Sequence, residues 1–112
     1  MRRLRIIIVM CFVSAVALAQ SIASKSSGID GAQLHYLQAG SGPAVILLHG
    51  YTQTSRMWRP LIPLLAQKFT VIAPNLPGIG DSDVPSGEVD MKGAAIRVHE
   101  LAKSLAITKA RV

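Results

Sequence analysis

Cysteine is nearly absent. The 112 residues hold one, Cys11, which lies in an apolar stretch with no lipobox before it. It supports neither lipidation nor a disulfide, and a chain without further cysteines suits export without depending on cross-links. Aromatic residues make up 4% of the chain, and no basic stripe is interleaved with them, which argues against nucleic-acid binding. No spacing of His, Cys, Asp and Glu suits a metal site. A G-x-G pair at Gly78 and Gly80 lacks the third glycine of a nucleotide-binding turn. No cofactor is therefore expected.

A long apolar span is missing too. Arg2, Arg3 and Arg5 precede the uncharged run Ile6 to Ala19, and Ala17-Leu18-Ala19 has the form of a processing site. Residues 1–19 read as a secretory leader whose removal leaves Gln20 first, which places the mature protein in the periplasm or outside the cell. The run from 6 to 19 is 19 − 5 = 14 residues, short of the roughly 20 that cross a bilayer, so no stable span is expected once the leader is gone. The formal charge of +6 includes the three leader arginines, so the remainder carries 6 − 3 = +3 on 112 − 19 = 93 residues. That is enough for one small domain.

Residues 20–28 are Ser-rich and read as a linker. Leu34 to Leu37 reads as a short exposed strand after the turn signal Asp30-Gly31. Gly40 to Pro43 is a turn, and Ala44 to Leu48 is a continuous apolar run of the kind buried on both faces in a parallel sheet. Trp58, Leu61, Ile62 and Leu65 fall on one helical face, with Thr54 or Ser55 as cap. Pro60 and Pro63 make the first part of that helix irregular. Phe69 to Ala73 is a second buried strand, and Pro74 to Gly87 is a long loop. Asp90 caps a helix whose apolar face runs from Met91 to Leu105, leaving Arg97 and Lys103 to point elsewhere, and Ala110 to Val112 begins another strand. Buried strands alternating with amphipathic helices predict an α/β architecture with a mostly parallel sheet and flanking helices.

The informative junction is VILLHGYTQTSRMW, where a buried strand stops at His49-Gly50. Ligands of an open parallel sheet sit outside the carboxyl ends of its strands. Gly50 allows a tight turn there, and the next amide, on Tyr51, can then face the crevice as a fixed dipole for a developing oxyanion.

From His49-Gly50, through Trp58, to Asn75-Leu76-Pro77-Gly78-Ile79-Gly80-Asp81-Ser82, the chain resembles the N-terminal part of the α/β-hydrolase superfamily. The nearest likeness is to the branch holding epoxide hydrolases, haloalkane dehalogenases and related esterases. It covers Ile29 to Val112. The resemblance implies that the Tyr51 backbone N–H is one oxyanion donor. It also implies a structural His49 bonded to nearby loop backbone, and Gly78 and Gly80 serving turns of a loop beside the active site. Thr52 stands where many epoxide hydrolases have proline, Tyr51 where haloalkane dehalogenases usually have Asn, and Asn75 where Asp is common.

The family's nucleophile sits in a G-x-[SD]-x-G elbow after the fifth strand, which here begins near Ala110. None of Ser82, Ser86 and Ser104 has both elbow glycines. Asp81 and Asp83 read as turn formers, and His35 and His99 as solvated surface residues. No nucleophile, base and orienting group can be assembled. Residues 29–112 thus read as a partial hydrolase domain, cut at the start of the strand before the elbow. It is expected to be inactive and poorly folded in isolation. The alternatives are a non-catalytic secreted binding module and a non-functional truncated product.

Overall fold

The computed structural model describes residues 21–87 and 89–112, so the leader expected at 1–19 lies outside the described residues. Among those described, no helix is long and apolar enough to cross a membrane. Strands β1 (Ala23–Ile29) and β2 (Ala32–Ala39) form a hairpin. Then follow β3 (Ala44–Ile46), a 3-10 turn (Ser55–Trp58), the one-turn helix α1 (Ile62–Leu65), β4 (Thr70–Pro74), α2 (Met91–Ser104) and β5 (Ala110–Arg111).

The sheet order is β1-β2-β4-β3-β5. Pairings β3 with β4 and β3 with β5 are parallel, while β1 with β2 and β2 with β4 are antiparallel. The α/β architecture stands, but the sheet is mixed where a mostly parallel one was expected. The parallel half comes from the two crossovers, β3 to β4 and β4 to β5. The antiparallel half comes from the N-terminal hairpin.

That hairpin corrects the reading of residues 20–28 as a linker. Ala23–Ile29 pairs along its whole length with β2, from Ala23 opposite Gln38 to Ile29 opposite Ala32. Its serines and Lys25 are tolerated because β1 is an edge strand with little to bury, and Lys25 also discourages further strand pairing there. Behind it, β2 is buried, not exposed. Leu34 and Tyr36 face one side of the sheet, and Leu37 and Ala39 the other, as the two-residue period of a strand requires.

Two apolar clusters follow from that alternation. Leu34, Tyr36, Ile46 and Ile72 pack under α2 through Leu101, with Val98, Ala102 and Leu105 around it. On the opposite face Leu37, Ala39, Val71 and Ala73 pack under Ile62 and Ala66, with Trp58 against them. The Asp90 cap is confirmed, its Oδ1 accepting the Gly93 N–H at 2.7 Å. Thr54 caps the 3-10 turn in the same way, accepting from Arg56 N–H at 3.3 Å. Arg97 does not point away into solvent: it is buried, and its guanidinium lies 3.7 Å from Asp30 in the β1–β2 turn.

The turn between β2 and β3 lies tight against the segment between α1 and β4. Gly40 has φ +78°, and a Cβ there would overlap the Phe69 carbonyl oxygen and lie 2.7 Å from that of Ala66. Gly31, in the hairpin turn, has φ +76° but open space around it. Gly31→Ala is therefore expected to cost about 1 kcal/mol for the backbone conformation alone. Gly40→Ala adds a backbone clash and is expected to cost on the order of 3 kcal/mol. Urea midpoints and soluble yields of the two variants check the difference, and equal losses would show that the Gly40 approach is not tight.

Candidate active site

The last ladder bond of β3 is Leu47 N–H to Ile72 O at 2.9 Å, after which the chain leaves the sheet. A turn closes at once: Gln53 N–H donates to Gly50 O at 3.2 Å, and Gly50 N–H donates to the Gln53 side-chain oxygen at 3.2 Å. The left-handed residue of this turn is Thr52, at φ 63°, the third position of a type II pattern. Gly50 was expected to allow a tight turn, and it opens this one. Its φ is ordinary, and what a side chain there would meet is Gln53 Oε1, 3.1 Å from an added Cβ. The positive φ also accounts for Thr52 in place of proline, whose ring fixes φ near −65°. Among the described residues the Tyr51 N–H has no hydrogen-bond partner, and the residue is 96% exposed.

The turn is fixed from both ends by two consecutive residues of the next loop. At its start, buried His49 accepts the Leu76 N–H on Nε2 at 3.0 Å, and its Nδ1 lies 3.0 Å from Gly50 O. An amide can only donate, so Nε2 is unprotonated and Nδ1 carries the hydrogen that Gly50 O receives. This agrees with the structural role expected of His49. At the far end, Ser55 N–H donates to Asn75 Oδ1 at 2.7 Å in a buried bond.

Asn75 is itself held. Its Nδ2 donates to His35 Nδ1 at 2.9 Å, and His35 Nε2 is 2.6 Å from Ser24 Oγ. The Asn75 backbone N–H donates to His35 O at 2.9 Å, and Ser82 Oγ both accepts from His35 N–H and donates to Asn75 O. Asp83 continues the pairing, with N–H to Gln33 O and Oδ2 accepting from Gln33 N–H, each at 2.9 Å. Asp83 is thus a loop-fixing residue, as expected of a turn former. His35 is not a solvated surface residue: it is 8% exposed and sits inside this network.

Gly78 and Gly80 do serve turns, at φ +76° and +54°. A Cβ on Gly80 would come within 2.8 Å of Asn75 Nδ2, so this glycine also makes room for the amide. Trp58 lies away from the rim, half-buried against the α1-side core. Tyr51, His49 and Gly50 therefore lie at one rim with the 75–83 loop that holds Gly78 and Gly80, and Trp58 belongs to the core on the α1 side. Sequence reasoning missed His35, Asn75 and Ser82. The available signal was a polar residue directly after a fully apolar strand, which must find partners where it is buried.

An apolar groove of about 390 Å³ opens beside His49, lined by Leu48, Leu76, Met91, Ala94 and Val98 among others. Leu48 is exposed on it, so the end of the Ala44–Leu48 run is not buried on both faces as expected. Among the described residues no group of three His, Cys, Asp or Glu side chains is placed to hold a metal ion.

Comparison with known proteins agrees with this geometry. The family model described as alpha/beta hydrolase fold matches residues 43–111. The chain is 42% identical over 95 residues to a soluble epoxide hydrolase of Corynebacterium sp. (strain C12), covering 85% of this chain and 33% of that protein. It is 45% identical over 58 residues to a fluoroacetate dehalogenase of a Burkholderia species, covering 52% and 19%. Among solved structures, the epoxide hydrolase CorEH superposes with a TM-score of 0.78 at 43% identity, over 80% of this chain and 32% of that one. A haloalkane dehalogenase DbeA loop variant from Bradyrhizobium elkanii superposes with a TM-score of 0.76 at 30% identity, over 80% and 30%. The chain thus spans about a third of the length of the epoxide hydrolases it matches. The family match runs from the turn before β3, through the His-Gly turn and the clamped loop, into β5, and the chain belongs to the α/β-hydrolase fold family.

Proposed function

We propose that these residues are the N-terminal part of an exported hydrolase that acts on small ester, epoxide or haloalkane-type substrates by nucleophilic catalysis. In this reading the Tyr51 N–H is one of two oxyanion donors. The observation that carries it is the unpaired Tyr51 amide on a turn clamped to the 75–83 loop, at the carboxyl end of β3 and β4. The epoxide hydrolase and dehalogenase relatives support the substrate classes. Export rests on the leader-like sequence of residues 1–19.

The division of labour follows from what the residues can do. The family's nucleophile, Asp or Ser on an elbow, attacks carbon, and a histidine-activated water then releases product. This chain contains no elbow sequence, so its own contribution is electrostatic: a preset dipole where negative charge gathers, with no reorganisation needed at the moment of reaction. As a 112-residue polypeptide it is inactive, because an oxyanion donor without a nucleophile has nothing to stabilise.

Two outcomes test this. The purified chain should not hydrolyse p-nitrophenyl acetate or styrene oxide above the buffer rate. In a chimera carrying residues 29–112 in place of the matching third of the Corynebacterium enzyme, Tyr51→Pro removes the N–H and should lower kcat roughly 100-fold or more, whereas Tyr51→Ala keeps the N–H and most of the rate. A Tyr51→Pro chimera as active as its parent would remove Tyr51 from the reaction. Export is checked separately: secreted material from a bacterial host should begin at Gln20 on N-terminal sequencing, and retention of Met1 in the cytoplasm would contradict it.

A further inference from the structure

Asn75 stands where Asp is common in the family, and the structure supplies a reason for the amide. Its two side-chain atoms face different demands. Oδ1 receives a backbone N–H, that of Ser55, which can only donate; Nδ2 faces His35 Nδ1. An amide satisfies both at once only if His35 Nδ1 is an acceptor, so the ring is neutral with its hydrogen on Nε2, directed at Ser24 Oγ. A carboxylate in the same place would present an acceptor to Nδ1 as well, so the ring would need a hydrogen on Nδ1, and the Ser24 hydroxyl could then turn to donate to Nε2. The charged groups lining the small cavity beside His35 are Arg56, Arg59 and Asp81, and among the described residues no carboxylate is hydrogen-bonded to the imidazole.

We propose that Asn75 is a positioning residue for the oxyanion turn, matched to a neutral His35, and that the turn is held between two neutral histidines of opposite tautomer. His49 carries its hydrogen on Nδ1 and accepts on Nε2; His35 carries its hydrogen on Nε2 and accepts on Nδ1. The Asn75-Leu76 dipeptide joins the two, so a change of tautomer or charge at either ring is transmitted to one end of the 49–55 segment. The word positioning rests on the hydrolase reading above; the tautomer pattern and the local anchoring of Ser55 do not.

The test uses the full chain labelled with ¹⁵N in its histidines and backbone, at neutral pH. In the unsubstituted protein, ring nitrogen spectra should show His35 protonated on Nε2 and His49 on Nδ1. Asn75→Asp should place a hydrogen on His35 Nδ1 and leave the His49 pattern unchanged. Asn75→Ala should speed hydrogen exchange of the Ser55 amide roughly tenfold while the Leu37 and Val71 amides stay within about twofold. A His35 in the Asn75→Asp protein that still lacks a hydrogen on Nδ1, or a hydrogen on His35 Nδ1 in the parent, overturns the matching. Acceleration of Leu37 and Val71 together with Ser55 overturns the positioning role and leaves Asn75 a general stabiliser. A parent protein whose three histidines give one averaged, solvent-like signal also overturns it. None of these readouts depends on turnover, so their failure is distinct from failure of the Tyr51→Pro chimera.

Discussion

Two hydrogen bonds from adjacent residues, Leu76 N–H to His49 Nε2 and Ser55 N–H to Asn75 Oδ1, hold the segment on which the rest of the site depends. The segment has little else to hold it. Tyr51, Thr52 and Gln53 are exposed and bury almost no apolar surface. A buried hydrogen bond contributes only about 1 kcal/mol net, but losing one partner leaves the other unsatisfied at a cost of up to about 3 kcal/mol. The turn is therefore defined more by what its misplacement would cost than by attraction. The Tyr51 amide is thereby left unpaired while its neighbours on either side are anchored.

The mixed sheet places these anchors. Because β2 runs antiparallel to β4, the first half of β2 lies at the same rim as the end of β4, with Tyr36 opposite Pro74. His35 thereby reaches Asn75, one step beyond the ladder. In an all-parallel arrangement that rim would hold the end of β2, and the Leu34-His35-Tyr36 stretch would sit at the opposite edge. The N-terminal hairpin thus delivers a histidine to the loop after β4. Edge strand β1 adds Ser24 as the outer partner of the same ring.

Much of this was legible in the residues. The strands within the apolar runs at 44–48 and 69–73, the Asp90 cap and the periodic face of α2 were each readable from local rules. The His-Gly end of β3 pointed to the rim, and Gly78 and Gly80 to turns. What was illegible depended on partners far away in sequence. Ala23–Ile29 has the composition of a linker, and becomes a strand because β2 offers a complete register beside it. Arg97 sits on a helix face that looks solvated until the Asp30 turn is placed against it. His35 gives no local sign of burial; its status is set by Ser24, Asn75 and Ser82, from 11 to 47 residues away. The unusual φ at Thr52, not Gly50, was equally hidden, since β-branched residues rarely adopt it.

Gly80 shows how far such a network constrains its surroundings. The space its missing side chain leaves is taken by the Asn75 amide, so the two positions cannot vary independently during divergence. A lineage that enlarges residue 80 must first shrink or re-aim residue 75, and so give up the tie to Ser55. Drift at the outer loop is thereby coupled to drift at the buried amide, and the order of substitutions matters as much as their identity.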